Sequence, residues 1–131
     1  MIVVDTNVVA YLLISGEYSQ NARRLYKKDP EWISPYLWRS EFRSVLSLYI
    51  RKGFLSYPDS VMLMKEAENL LFGMEYEVQS EMVLEIISNS NISASDAEFI
   101  ALARDLKLKL YTSDKAILKE FSSISRPISK V

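Results

Sequence analysis

The chain opens with Met1-Ile2-Val3-Val4 and then places Asp5, and this short stretch sets the fold to be expected. A continuous run of apolar residues is typical of a strand that is buried on both faces, as strands of parallel sheets are. Asn7 is predicted to cap a helix that follows at once, because apolar residues recur at helical spacing over residues 8–14. A buried strand that leads directly into a helix indicates the first unit of an α/β fold.

The same alternation continues to the end of the chain. Further helices are predicted over residues 19–28, 36–52, 58–72, 82–87, 95–106 and 115–121, and further strands near residues 32–33, 76–78 and 108–112. Gly53 and Gly73 stand where helix-ending glycines are found, and Ser95 with Glu98 has the spacing of a capping box. Because helices separate the strands and no hairpin turn is evident, the sequence predicts an α/β fold with a mainly parallel central sheet flanked by helices.

Length and composition predict one domain over residues 1–131. The chain has only 3 glycines and 4 prolines, and no internal repeat or low-complexity linker divides it. The apolar N-terminal stretch is interrupted by Asp5 and Asn7 and lacks a basic leader, so it is not expected to be a signal peptide. No other segment is expected to cross a bilayer. A chain without cysteine is compatible with any redox compartment, so the cytoplasm is the default location and not a deduction.

The absence of histidine and cysteine excludes several chemistries. A Ser-His-Asp triad, a Cys-His nucleophile, a disulfide framework and a zinc site with nitrogen or sulfur ligands all need one of these residues. The acid–base groups that remain are mainly carboxylates, lysines and tyrosines. Any catalytic site is therefore expected to draw on the 17 acidic residues.

Four of these acids occupy unusual positions. Asp5 and Asp114 follow predicted strands, and ligands of open parallel sheets bind beyond the carboxyl ends of the strands. Glu41 and Asp96 lie within the apolar stripes of their helices, where an unpaired charge is costly, whereas Glu98 is expected to point away. Structural explanations remain open: a turn or cap for the strand-end acids, a salt bridge to a lysine for Glu41, and a helix-dipole interaction for Asp96.

The four acids together are expected to converge at one end of the sheet. Four like charges need a counter-charge, and a site that offers only oxygen ligands suits a hard divalent cation, Mg²⁺ or Mn²⁺. Such an ion activates water and neutralises charge on a phosphodiester. The residues alone therefore favour phosphodiester hydrolysis.

At this point the sequence also resembles a known family. The resemblance rests on Ile2-Val3-Val4-Asp5-Thr6-Asn7, on Glu41 in a central helix, on Asp96-Ala97 followed by Ile100-Ala101-Leu102-Ala103, and on Thr112-Ser113-Asp114. The order and spacing of these segments over the whole chain are similar to those of the PIN-domain ribonucleases, in particular the small VapC-type toxins of toxin–antitoxin pairs.

The resemblance implies a three-layer PIN-like fold and a metal-dependent endoribonuclease that acts as the toxin of a type II toxin–antitoxin pair. It implies an acidic pocket for Mg²⁺ or Mn²⁺ formed by Asp5, Glu41, Asp96 and Asp114. It also implies hydroxyl and amide groups that orient these carboxylates, namely Thr112, Thr6, Asn7 and Ser113. The implied partners are an RNA substrate, a cognate antitoxin protein and a second copy of the chain in a homodimer.

The charge is segmented along the chain although the net charge is only −1. Residues 20–52 carry a net charge of +5, residues 59–98 of −8 and residues 104–131 of +4. Six basic residues are predicted to form an RNA-binding rim beside the acidic pocket, or else to belong to ordinary solvated helix faces. They are Arg23, Arg24, Lys27, Lys28, Arg39 and Arg43. Tyr49 is expected in the core or at an interface rather than stacked on a base.

Other functions stay open on the sequence alone. A phosphotransferase of the receiver or haloacid-dehalogenase kind would phosphorylate a strand-end Asp, but such phosphatases carry a second acid where this chain has Asn7. A noncatalytic PIN-fold RNA-binding or interaction module would not need the four acids, and a PIN nuclease of RNA processing would lack the toxin role. The helix predicted over residues 58–72 is expected to be a core helix, or else a groove or a dimer face.

Overall fold

Strands and helices alternate along the chain in a computed structural model that describes residues 1–131. The strands are β1 (Ile2–Val4), β2 (Trp32–Pro35), β3 (Glu75–Tyr76), β4 (Leu110–Thr112) and β5 (Ser125–Pro127). The helices are α1 (Thr6–Leu13), α2 (Ser19–Lys28), α3 (Trp38–Arg51), α4 (Tyr57–Leu70), α5 (Ser80–Ser88), α6 (Ala94–Leu106) and α7 (Lys115–Glu120), and a 3₁₀ turn follows at Ile128–Lys130. The predicted α/β class is confirmed.

All five strands run parallel, in the order β3-β2-β1-β4-β5. Chain order runs outward from the central β1 in both directions, so the topological switch point lies between β1 and β4. Open parallel sheets bind ligands at such a point, beyond the carboxyl ends of the strands. Asp5 follows β1 and Asp114 lies just after β4, which places both residues at this crevice.

Helices cover the sheet, as the apolar side chains of β1 require. α6 packs against β1, β2 and β4, and α5 packs on α6. α1 contacts β4 and packs against α2, α3 and α4. The core is built around four large, fully buried aromatic side chains, Trp32, Trp38, Phe42 and Phe99. No helix is both long and apolar enough to span a membrane.

Two predicted helix caps were misplaced by two residues. α1 is capped by Asp5 and not by Asn7, and α6 is capped by Ser93 and not by Ser95. A cap is the side chain that reaches the free backbone amide three residues further on, and in α6 the hydroxyl of Ser93 accepts a hydrogen bond from the amide of Asp96 at 3.2 Å. Sequence spacing offered two polar residues at each helix start, and only the backbone path selects between them.

β5 was absent from the prediction. Its three residues include Pro127 and show no apolar alternation. It forms because its backbone pairs in register with β4, with Leu110 opposite Ser125 and Thr112 opposite Pro127. A proline is tolerated because β5 is an edge strand, with a neighbour on one side only.

Candidate active site

The four predicted acidic residues line one open cavity at the carboxyl end of the sheet. Its volume is about 310 Å³. The acids come from four separate elements, the ends of β1 and β4 and the helices α3 and α6. The residues that line the cavity are Asp5, Thr6, Asn7, Glu41, Ser44, Val45, Asp96, Phe99 and Asp114. The structure therefore brings together the acids that the sequence predicted to converge.

Asp5 is the most buried of the four acids, and two hydrogen bonds hold its carboxylate. The backbone amide of Val8 donates to Oδ1 at 3.1 Å, and the hydroxyl of Thr112 donates to Oδ2. The buried Thr112 hydroxyl also accepts a hydrogen bond from the backbone amide of Asp114 at 2.9 Å. One hydroxyl thus links the two acids that follow β1 and β4.

The other three polar residues predicted to orient the carboxylates behave differently from one another. Thr6 donates a hydrogen bond from its hydroxyl to Oε1 of Glu41 at 2.7 Å. Asn7 lines the cavity with an exposed side chain. The hydroxyl of Ser113 instead hydrogen-bonds the hydroxyl of Tyr11 at 2.8 Å, so it does not orient a carboxylate as predicted. Ser113 lies directly after β4, and its hydroxyl reaches Tyr11, whereas the hydroxyl of Thr112 reaches Asp5.

The cavity disfavours the charged forms of three of its acids, Asp5, Glu41 and Asp96. Burial, with the charges of Asp96 and Glu41, raises the pKa of Asp5 from 3.8 to about 6, although hydrogen bonds from Thr112 and Val8 oppose the shift. Burial also raises the pKa of Glu41, with the charge of Asp96 adding to it. The pKa of Asp96 is raised by burial and by the charge of Asp114. Raised carboxyl pKa values show that the chain does not compensate these charges.

No basic side chain pairs with the cavity acids. The ion pairs of the chain join the N-terminal amine to Asp29 and Arg39 to both Glu68 and Glu75. The salt bridge to a lysine that would make Glu41 a structural residue is therefore absent. The counter-charge for the cavity has to come from a bound ion or from protons.

The donor set fits a hydrated divalent cation. Its carboxylate and hydroxyl oxygens are the ligands that Mg²⁺ and Mn²⁺ prefer. No group of three or more acidic side chains is drawn together tightly enough to hold an ion by direct ligation alone. Mg²⁺ does not need such a group, because it keeps several of its waters and takes one or two carboxylates per ion.

The side of α3 that carries Glu41 faces this cavity rather than the core. The sequence placed Glu41 on the core-facing side of the helix together with Leu48, but Leu48 is 57% exposed. The fully buried residues of α3 are Trp38, Phe42 and Leu46, which lie on another side. A stripe of apolar residues beside a cavity has the same helical period as a stripe that faces the core, so periodicity does not separate the two.

One acid near the site was missed. Glu98 was expected to point away from Asp96, yet it is partly buried, and its charge contributes to the raised pKa of Glu41. Burial raises the pKa of Glu98 as well. Nothing in the periodicity of α6 indicates this, because the neighbouring acid lies on α3.

None of the six basic residues predicted to form a rim lines the acidic cavity. Arg39 is bound through Nε and Nη2 to Glu75 at 2.6 and 2.8 Å and through Nη1 to Glu68 at 3.0 Å, so it is not free for the predicted role. Arg24 donates to the carbonyl oxygen of Val131. The remaining four, all with exposed side chains, are Arg23, Lys27, Lys28 and Arg43.

Known proteins match this chain in sequence and in fold. The family model described as PIN domain matches residues 2–123. Ribonuclease VapC3 of Pyrobaculum aerophilum is 22% identical over 129 residues, which cover 96% of this chain and 98% of that protein. Two solved structures share the fold. FitAcB from Neisseria gonorrhoeae has a TM-score of 0.78 at 16% identity, with both chains covered fully. A toxin–antitoxin complex from Klebsiella pneumoniae has a TM-score of 0.60 at 14% identity, over 89% of this chain and 90% of that one.

Proposed function

Because the chain belongs to the PIN domain family, we propose that it is a Mg²⁺- or Mn²⁺-dependent endoribonuclease that acts as the toxin of a type II toxin–antitoxin pair. The observation that carries the proposal is the cavity of four carboxylates without a protein cation. A curated relative that covers nearly the whole chain bears the name of a ribonuclease, which supports RNA as the substrate.

The residues of the cavity have separable tasks in this proposal. The carboxylates of Asp5, Glu41, Asp96 and Asp114 hold the ion. When bound, the ion supplies an activated water and neutralises charge on the scissile phosphodiester. Thr112 and Thr6 keep two of the carboxylates in orientation by hydrogen bonds. Since the pKa of Asp5 is about 6, protons compete with the ion for this residue, and metal affinity falls below that pH.

The test is cleavage of single-stranded RNA by protein freed of any bound partner. Cleavage is expected only with added Mg²⁺ or Mn²⁺. Asp5→Asn and Asp96→Asn are each expected to lower the rate about a thousandfold, the effect of losing several kcal/mol of charge stabilisation. Asp105→Asn is the matched control, because Asp105 lies on the same helix as Asp96 with its side chain in solvent.

Two results would contradict this mechanism: cleavage that persists in excess EDTA, and cleavage that survives both cavity substitutions. RNA binding without cleavage of any substrate would instead favour a noncatalytic PIN-fold module. Cleavage with no inhibiting partner protein would favour a nuclease of RNA processing without a toxin role.

The exposed basic residues belong to the proposal as a path for the RNA backbone. Arg43 lies on α3, which also carries Glu41, and Arg23, Lys27 and Lys28 lie on the exposed side of α2. Each lysine or arginine that contacts a phosphate makes binding weaker at higher salt. Arg43→Gln is therefore expected to lower the affinity for RNA of every sequence by a similar factor and to reduce its salt dependence.

A protein partner is supported by the surface of α4. The sequence favoured a core helix, and Leu63, Met64 and Leu70 do pack against the core, but Met62 on the same helix is 60% exposed. Large exposed apolar patches on a protein surface mark interaction sites. We assign this face to an antitoxin or to a second copy of the chain. We also place the protein in the cytoplasm, where transcripts are accessible. A small protein encoded beside this one should copurify with it and inhibit its cleavage of RNA.

A further inference from the structure

A second cavity lies beside the acidic cavity along α3. This apolar cavity has a volume of about 250 Å³ and is lined by Asn7, Val45, Leu48, Tyr49, Lys52 and Phe54. Asn7 and Val45 line both cavities. Three further cavities, lined in part by residues of α1 and α2, share no lining residue with the acidic cavity. A molecule held at the acids therefore meets the apolar cavity next.

One side of α3 connects the two cavities. Glu41 lies at the acidic end and Lys52, directly after the helix, at the other, and the helical rise separates them by about 16 Å. Between them lie Val45, Leu48 and the half-buried Tyr49. Along this side of α3, the carboxylate at the acidic end is followed by apolar and aromatic groups and then by a cation.

A rigid turn holds an aromatic ring at the edge of the apolar cavity. Gly53 has a φ of +77°, and the amides of Gly53 and Phe54 donate to the carbonyls of Ile50 and Tyr49 at 3.0 and 2.9 Å, which is a Schellman motif. The rings of Phe54 and Tyr49 lie 6.4 Å apart. The motif explains this contact, but it leaves Phe54 71% exposed, so the ring is held in place with most of its surface uncovered.

We propose that the apolar cavity is a nucleobase subsite, which takes the base of a nucleotide next to the scissile phosphate and stacks it on Phe54 and Tyr49. This inference rests on the proposed function. Aromatic side chains stack on every base, and Lys52 offers a positive charge to a phosphate of the same strand. The amide of Asn7, where the cavities join, offers both a donor and an acceptor to a base edge. An apolar cavity between an acidic metal site and a lysine matches a strand that alternates bases with phosphates.

The subsite gives a physical reason for selecting single-stranded RNA. A base that is paired within a duplex is stacked on its neighbours and cannot enter the cavity, whereas an unpaired base is free to stack on protein. Tyr49, expected in the core or at an interface, is half-buried beside Phe54, and the proposed subsite gives it a part in stacking the base.

The first test compares Phe54→Ala with Phe72→Ala. Phe72 is 85% exposed and lines neither cavity, so it controls for the loss of an exposed aromatic ring. Phe54→Ala is expected to raise KM for single-stranded RNA roughly five- to a hundredfold, the loss of one base–aromatic stack, with little change in kcat. Phe72→Ala is expected to match the wild-type protein, and Phe54→Trp is expected to restore the wild-type KM.

A second test locates the base directly. Single-stranded RNA that carries the photoreactive base 4-thiouridine is irradiated with the protein, and the crosslinked peptide is identified by mass spectrometry. The crosslink is expected within residues 45–54 of the wild-type protein, to be lost in Phe54→Ala and to remain in Phe72→Ala.

The outcomes separate the subsite from the proposed function. If the wild-type protein cleaves RNA, but Phe54→Ala has the KM of Phe72→Ala and crosslinks elsewhere, the subsite is overturned while the nuclease stands. If Phe54→Ala then loses only the affinity for the antitoxin, the cavity belongs to a protein partner. A wild-type protein that neither cleaves nor crosslinks RNA overturns both proposals.

Discussion

The carboxylates of the acidic cavity and of the ion pair at the sheet edge have opposite electrostatic environments. Glu75 receives hydrogen bonds from the guanidinium of Arg39 at 2.6 and 2.8 Å and from the indole of Trp38 at 2.7 Å, and these hold its pKa below the usual value. Asp5 has no cation, and burial raises its pKa to about 6. The chain thus supplies a counter-charge to Glu75 and supplies none to Asp5.

The largest expected effect is an increase in the free energy of unfolding of the metal-free protein when the charge of Asp5 is removed. The folded protein binds a proton on Asp5 more tightly than the unfolded chain does, so metal-free stability falls as pH rises from 3.8 to about 6. The difference between these two pKa values corresponds to about 3 kcal/mol in the free energy of unfolding. Asp5→Asn is expected to raise the free energy of unfolding by much of this amount at pH 7.5 and by little of it at pH 4. The measurement is urea unfolding in EDTA.

Added metal is the control for this substitution. Mg²⁺ or Mn²⁺ binds the folded wild-type protein and stabilises it by mass action, whereas the variant responds less. The order of stabilities is therefore expected to reverse between EDTA and saturating metal. If Asp5→Asn were less stable than the wild-type protein at pH 7.5 in EDTA, Asp5 would belong with Glu75 as a structural residue.

Arg39→Met removes the cation that compensates the charge of Glu75. It is expected to lower the free energy of unfolding by about 2 kcal/mol at pH 7, because a partly buried Glu75 loses its charged donors. The loss should shrink as pH falls through the lowered pKa of Glu75, since that stabilisation is present above the ordinary pKa of 4.5 and disappears on protonation. Metal-dependent cleavage should be unchanged.

Arg43→Met is the matched control for stability, because Arg43 lies on the same helix with an exposed side chain and forms no ion pair. A stability loss equal to that of Arg39→Met would show that the methylene stems matter and the ion pair does not. The two variants are compared by urea unfolding at pH 4 and pH 7.

A smaller effect is expected where a hydroxyl, and not a charge, is removed from the cavity. Thr112→Val keeps the shape but deprives the carboxylate of Asp5 and the amide of Asp114 of their shared partner. Mn²⁺ affinity, measured by calorimetry, is expected to fall about tenfold. Ser113→Ala should leave it unchanged, because Ser113 hydrogen-bonds Tyr11. Equal affinities of the two variants would show that the Thr112 hydroxyl does not orient the ligands.

Much of the fold and four acids of the site were predictable because local patterns set them. The apolar run of β1, the helical period of α3 and the glycine after it are properties of neighbouring residues, and each led to the right element. Asp5 was identified by its place after a buried strand. The same patterns misplaced two helix caps, because several polar residues near a helix start satisfy the same spacing.

The remaining features arise from contacts between segments that are distant in sequence. Arg39 was assigned to a basic rim from the local charge, which does not show its partner Glu75 on β3. Glu98 was expected to point away by helical periodicity, which does not show the neighbouring acid on α3. β5 exists only as a partner of β4. Periodicity shows which residues share one side of an element, but the packing of other elements decides whether that side meets the core, a cation or an open cavity. The sequence therefore located the acids, and the folded chain showed that no cation compensates them and that an apolar cavity adjoins them.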